Sequence, residues 1–263
     1  MPKTSFKPQT HGFAFVNSWT MDETETETTR KVVASAVNAG LMAISPILFA
    51  PLVVLGLGRR LGQAIAGGLP QTYGLCGGMA FAALDYYRTG LPLPRGTGPS
   101  DWPTRKTPKG ATLRSYLWQR LLESLTFGRV AAKTLACMAA LHLMPRRWPF
   151  QGGQPWLLAF SLAQWSRLKR HLAAGEPWPI GLVGTTNDPF SNHQVLACGY
   201  DDDGGGRGTI YLYDMNCPGA EQTIRLDFTG ESLLAEESCP GARGPLQGFF
   251  CEDYSLVQPP ALD

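Results

Sequence analysis

Near Gly175 the chain changes its repeat. Before that point apolar residues recur at helical spacing. Beyond it the sequence falls into short β-rich runs separated by turn residues: PIGLVGT (179–185), HQVLACGY (193–200), TIYLYD (209–214), QTIRLDF (222–228) and LQGFFCEDYSLV (246–257). Helices first and strands afterwards imply an α+β domain built on an antiparallel sheet. The 263 residues carry no internal repeat and no linker that forces a boundary, so one domain, 1–263, is expected. Glycine (30) and proline (21) make up about a fifth of the chain, which excludes a coiled coil or helical solenoid. With 44% apolar residues there is enough to bury, and disorder is excluded as the main state.

In the first half, His11 to Trp19 alternates apolar and polar residues as a short strand does, and the acidic stretch MDETETETT after it reads as a helix start or loop. In QTYGLCGGMAFAALDYYRTGLPLP, Gly74 breaks the chain, a helix runs from near Cys76 to Arg88, and Gly90, Pro92 and Pro94 stop it. Met79, Ala83 and Tyr87 form one stripe, widened by Ala80 and Leu84, so this helix is expected to be buried along most of its length. Residues 95–112 read as a Pro/Gly/Lys loop. Leu113 to Leu125, Arg129 to Met144 and Gln151 to Leu172 read as helices, the last stopped by Gly175 and Pro177.

Val32 to Gly58 holds no charged residue and is flanked by Arg30, Lys31, Arg59 and Arg60. It is long enough to cross a bilayer, but Pro46 and Pro51 interrupt it and its Ala, Gly and Ser suit close packing. Residues 32–68 are therefore expected to form apolar helices packed on or lying across the body. Membrane insertion or docking is the other reading. The net charge of +2 gives no general argument for nucleic acid. Its distribution is uneven: residues 95–150 carry 10 basic and 2 acidic side chains, residues 201–263 carry 3 and 12. The basic helical insert and the acidic tail either face each other or form separate solvated faces. A third reading joins 95–150 with 32–60 as a docking face for an anionic membrane. Oligomeric state is not legible.

Six cysteines without a CxxC pair, and four histidines, argue against structural zinc, and no cofactor is expected. The amino terminus has no apolar segment of the secretory type, so reduced thiols and a cytoplasmic place, peripheral to a membrane in the docking reading, are expected. Cys198 reads as core and Cys217 as a redox liability or modulator. His142 and His171 lie on helices without a chemical role, and Gly204–Gly206 is a hairpin loop rather than a phosphate cradle.

Two positions carry chemistry. Cys76 sits where a glycine-flanked turn enters the buried helix, and the positive helix end with its unpaired N–H groups favours thiolate over thiol there. Gly77 and Gly78 would keep side chains away from a substrate carbonyl, and the Cys76 N–H would face a developing oxyanion. His193 opens the strand HQVLACGYD, which the loop DDDGGGRG returns into TIYLYDMN. Pairing Tyr200 with Thr209 sets His193 opposite Asn216 and Val195 opposite Asp214, so His193, Asp214 and Asn216 share one face. An imidazole so placed is held in one tautomer and can act as a base.

A cysteine at a helix start preceded by Gln71, then His193 at a strand start, then Asp214 at the end of the next strand, resembles the papain-like cysteine peptidases. GEPWPIGLV, NHQVLACGYD and IYLYDMNCPG resemble most the outer branch that includes the bacteriocin-processing double-glycine peptidases. The resemblance covers Gln71–Tyr87 and Gly175–Gly219, about a quarter of the chain. It implies a papain-like α+β fold, with a helical part carrying the Cys helix packed on the antiparallel sheet that carries His and Asp. It also implies Cys76 as nucleophile, His193 as base, Asp214 as the residue that orients it, Asn216 as an auxiliary, Gln71 as an oxyanion donor, and a peptide or amide substrate. Gln71 lies five residues before Cys76 where papain has six, no Trp follows the cysteine, and no Asn-Ser-Trp follows the third member. The NSW at Asn17 to Trp19 lies on the wrong side of Cys76 and is read as chance. Hydrolysis and acyl transfer use the same apparatus, and a non-catalytic membrane-docking protein on this scaffold is the reading from another class.

Overall fold

Each β-rich run of the carboxyl-terminal third forms a strand in the computed structural model, which describes residues 2–20, 22–28, 31, 72–94, 103–126, 156–185, 192–240 and 245–262. The readings for 32–68 and 129–144, and those for Gln71 and His142, fall outside the described residues. β1 (Trp19–Thr20) pairs with β2 (Thr72–Tyr73) in a small separate ladder. β3 (Trp178–Gly184), β4 (His193–Asp202), β5 (Arg207–Tyr213), β6 (Glu221–Asp227), β7 (Leu234–Glu237) and β8 (Leu246–Cys251) pair antiparallel in chain order. β8 returns to β3, so the expected antiparallel sheet closes into a barrel. β7 was not expected: its LAEE carries no apolar alternation, and Leu234 is exposed while Ala235 faces the core. β8 ends at Cys251, and residues 252–257, read as its continuation, form no strand.

The β4–β5 hairpin corrects the expected register and then restores it. At the tip Tyr200 faces Ile210 rather than Thr209, one residue off the expectation. A bulge at Cys198 absorbs that residue, and from Ala197 and Leu196 onward the partners are Leu212 and Tyr213. The expected frame therefore holds at the end of the hairpin where His193 and Asp214 lie. The loop itself needs its glycines: Gly204 (φ 71) and Gly206 (φ 94) occupy the left-handed region.

Of the strand expected over His11 to Trp19, His11 ends α1 (Pro8–His11), residues 12–18 form neither helix nor strand, and the only ladder there pairs Trp19 and Thr20. The alternation had a different cause: Phe13, Phe15 and Trp19 are buried while Ala14, Val16 and Ser18 are exposed, in a segment that bends repeatedly and joins no ladder before Trp19. Residues 23–28 are helical, as the acidic stretch suggested. Asp22 and Glu25 close a reciprocal capping box, Asp22 accepting from the Glu25 N–H at 2.7 Å and Glu25 from the Asp22 N–H at 3.1 Å.

α2 (Cys76–Thr89) runs as expected and ends at Gly90 (φ 68). Gly77 through Tyr86 are all buried, because three surroundings enclose it: the amino-terminal aromatics, α3 (Pro108–Thr126), and the outer face of β4 and β5 through Leu196, Cys198, Tyr213 and Met215. A methyl at Gly78 would lie 2.0 Å from the Leu117 carbonyl oxygen, and one at Gly77 would lie 1.9 Å from Gln194 Oε1. These glycines bring α2 against α3 and β4, which corrects the expectation that they clear space for a substrate. α3 begins five residues before the helix expected at Leu113: Thr107 Oγ1 accepts the Gly110 N–H at 3.2 Å, and Pro108 takes the first turn. The inward faces of the barrel strands form a second core with α4 (Trp156–Ala173), whose end is followed by Gly175 at φ 79.

Charges inside this body are paired. Asp85 of α2 and Arg120 of α3, both fully buried, meet at 2.7 Å. Asp85 also accepts from Tyr116 Oη and Tyr254 Oη, each at 2.7 Å, and from the Val257 N–H at 3.1 Å, while Arg120 donates to the Ser255 carbonyl at 2.9 Å. Buried Glu25 takes Arg105 at 2.6 Å and Arg114 at 2.8 Å. The described arginines 105, 114 and 120 of the basic insert are thus matched by Glu25 and Asp85, not by the acidic tail. The tail's Glu221, Asp202, Asp253 and Asp227 pair with Lys3, Lys169, Arg167 and Arg207. Among the described residues no helix is long and apolar enough to cross a membrane.

Candidate active site

Cys76 is the first residue of α2 and is half-buried. The opening N–H groups of a helix have no carbonyl four residues back, so the Cys76 sulfur sits at a positive end. The loop before it is clamped from a distant part of the chain: the Leu75 N–H donates to Asn17 Oδ1 at 2.6 Å, and the Asn17 N–H donates to the Met215 carbonyl at 3.0 Å. Gly74 is required for this approach, since a methyl there would lie 2.5 Å from Asn17 Nδ2.

His193 opens β4, and Gln194 beside it packs on Gly77, which sets the imidazole against the helix start. Gln194 is itself buried and held by Ser124 Oγ at 3.2 Å and Glu252 Oε1 at 2.7 Å. His193 Nε2 lies 2.9 Å from Asp214 Oδ1, just past the end of β5, and the Cys76 thiol is within hydrogen-bonding reach of the same ring. With Nε2–H given to the carboxylate, Nδ1 is the nitrogen left for the thiol. Burial by itself would lower the imidazole's affinity for its proton. The charge and hydrogen bond of Asp214, joined by those of Cys76, outweigh that and push His193 up to about 10. Asp214 is held below the usual carboxylate range: burial opposes this, and His193 together with the Asn216 N–H at 2.8 Å prevails.

The orientation of two amides follows from one backbone donor. Leu75 N–H can only donate, so it fixes Asn17 Oδ1 toward itself and turns Nδ2 to Asn216 Oδ1 at 3.2 Å. That leaves Asn216 Nδ2 against His193 Nε2 at 3.2 Å, a contact that packs the ring rather than a second hydrogen bond, because Nε2–H already points at Asp214.

The structure brings together Cys76, His193, Asp214 and Asn216. Sequence reasoning missed two neighbours. Asn17, set aside as chance, bridges the loop of the cysteine and the loop of Asn216. Glu237 lies opposite Ile224 in the β6–β7 ladder and therefore shares its inward face. Burial raises the Glu237 carboxyl, His193 pulls it down and Asp214 raises it further, with a net rise. The expectation of reduced thiols is corrected at Cys217 and Cys239, which form a disulfide one residue beyond Asn216. Cys76, Cys198 and Cys251 form no disulfide, and burial pushes the Cys198 thiol up to about 12. His171 is stacked on Trp178 and bonded to Glu176, away from this chemistry. No group of metal-ligating side chains occurs among the described residues. Comparison with protein-family models, with curated proteins and with solved structures finds no match.

Proposed function

We propose that this chain is a cysteine-dependent hydrolase of papain-like architecture, a peptidase or amidase that works through an acyl-enzyme. The observation that carries the reading is the His193 imidazole, held by Asp214 at 2.9 Å on Nε2 and with the helix-start thiol of Cys76 within hydrogen-bonding reach of the ring. In this reading the Cys76 sulfur attacks the carbonyl carbon, and His193 gives its proton to the leaving amine. Water, deprotonated by the same imidazole, then releases the acyl group. Asp214 keeps the ring in the useful tautomer and stabilises the imidazolium. An amine in place of water makes the same site an acyltransferase. The Cys217–Cys239 disulfide favours an oxidising place of action over the cytoplasm.

Limiting iodoacetamide followed by peptide mapping tests the reading. Cys76 is expected to be carboxamidomethylated before Cys198 and Cys251, and His193→Ala is expected to slow that reaction at least tenfold. Labelling of Cys198 or Cys251 ahead of Cys76 would remove the basis for an enzyme.

A further inference from the structure

We propose that Asn17 supplies the side-chain donor of the oxyanion hole, the role that resemblance alone would give to Gln71. The inference rests on the hydrolase reading and concerns the same site. A carboxamide nitrogen carries two protons. One of those on Asn17 Nδ2 goes to Asn216 Oδ1 at 3.2 Å, and the other has no acceptor among the described residues. The amide cannot turn away, because its Oδ1 is held by the Leu75 N–H at 2.6 Å, the residue immediately before the nucleophile. Its backbone is held too, by the Met215 carbonyl, and its side chain is half-buried against Gly74. A preorganised donor of this kind stabilises developing charge without reorganising when that charge appears.

The step balances as follows. Cys76 Sγ forms a bond to the carbonyl carbon, and the π pair of the carbonyl moves onto its oxygen. That oxyanion accepts from Asn17 Nδ2–H and from the Cys76 N–H. Collapse re-forms the carbonyl and expels the leaving group, which takes a proton from His193 when it is an amine. Alkylation of the same sulfur by iodoacetamide displaces iodide at a saturated carbon and makes no oxyanion, so it separates this role from simple positioning of the thiol.

The experiment compares two rates at Cys76 in the full chain: acylation by p-nitrophenyl acetate, followed as p-nitrophenolate release, and alkylation by iodoacetamide. The variants are Asn17→Ala and Asn17→Ser, the second keeping an oxygen that can accept the Leu75 N–H. Both are expected to lose acylation by about 10²- to 10³-fold while alkylation stays within about threefold of the parent. Acylation that falls no more than alkylation in both variants would reduce Asn17 to a structural clamp and overturn the proposal. So would a larger acylation loss in Gln71→Ala than in either. A parent chain that alkylates readily at Cys76 but releases no p-nitrophenolate would overturn the hydrolase reading as well, and is recognised because it needs no variant.

Discussion

Replacing Asp214 by Asn keeps the shape of the group and an acceptor for His193 Nε2–H, but removes the charge. The donor and acceptor lie 2.9 Å apart, which puts the two charge centres roughly 4 Å apart. At an effective dielectric constant of about 20 that attraction is about 4 kcal/mol, equivalent to about three pH units. This is the size needed to hold the half-buried imidazolium up to about 10 against its desolvation, with Cys76 adding to it. In Asp214→Asn the Cys76 contribution survives, so His193 is expected to titrate near pH 7 rather than near 10. NMR titration of histidine-labelled protein, with His193 assigned by its loss in His193→Gln, reads this directly. Stability follows with a definite sign. A histidine raised from 6.5 to about 10 contributes stability that is complete below pH 6.5 and lost as pH rises toward 10. Unfolding free energy of the parent should therefore fall across that window, and the curve of Asp214→Asn should be flatter there. A His193 midpoint within half a pH unit of the parent would refute the ion pair as the cause.

Three further outcomes are expected. Gly78→Ala should destabilise more than Gly77→Ala in urea unfolding, by about 3 kcal/mol against about 1–2, because the first meets backbone at Leu117 and the second the movable Gln194 side chain; the reverse order would mean that α2 does not sit this close to α3. Loss of the Cys217–Cys239 disulfide, with a sequence separation of 22, should cost about 3 kcal/mol by chain entropy, read as the unfolding midpoint of the Cys217→Ala, Cys239→Ala double variant. An unchanged midpoint would mean that the bond does not form in solution. Arg120→Met should cost about 3–5 kcal/mol by stranding the Asp85 carboxylate, and a loss under about 1 kcal/mol would mean that water reaches that pair.

The helix of Cys76 could be read from the chain because a glycine break, an apolar stripe and a glycine stop coincide within one short segment. The His193 strand and its partner could be read because alternation and a glycine-rich loop mark a hairpin. The bulge could not: Ala197, Cys198 and Gly199 are all small, and nothing in such a run says which residue leaves the ladder. Thr107 followed by Pro108 did announce the start of α3, and the run of turn formers around it hid the signal. Asn17 escaped for a physical reason. A side chain that caps a loop is chosen by proximity in space, and a sequence separation of 58 between Asn17 and Leu75 leaves no trace of it. β7 escaped because its inward residues are Ala235 and a carboxylate, which no hydrophobic pattern would select.

The buried pair of Asp85 and Arg120 also sets an order of events during synthesis. Their remaining partners, Tyr254, Ser255 and Val257, lie about 130 to 170 positions downstream, and Tyr86 beside Asp85 donates to the carbonyl of Pro260. While the ribosome is still making the barrel, Asp85 on α2 and Arg120 on α3 each have incomplete company, and the helix that carries the thiol has one flank open. It becomes fully seated only when residues 254–260 emerge and lie down on it. A nascent chain therefore carries Cys76 before it can hold that thiol in place, and the thiol reaches its final surroundings only after those residues have left the ribosome.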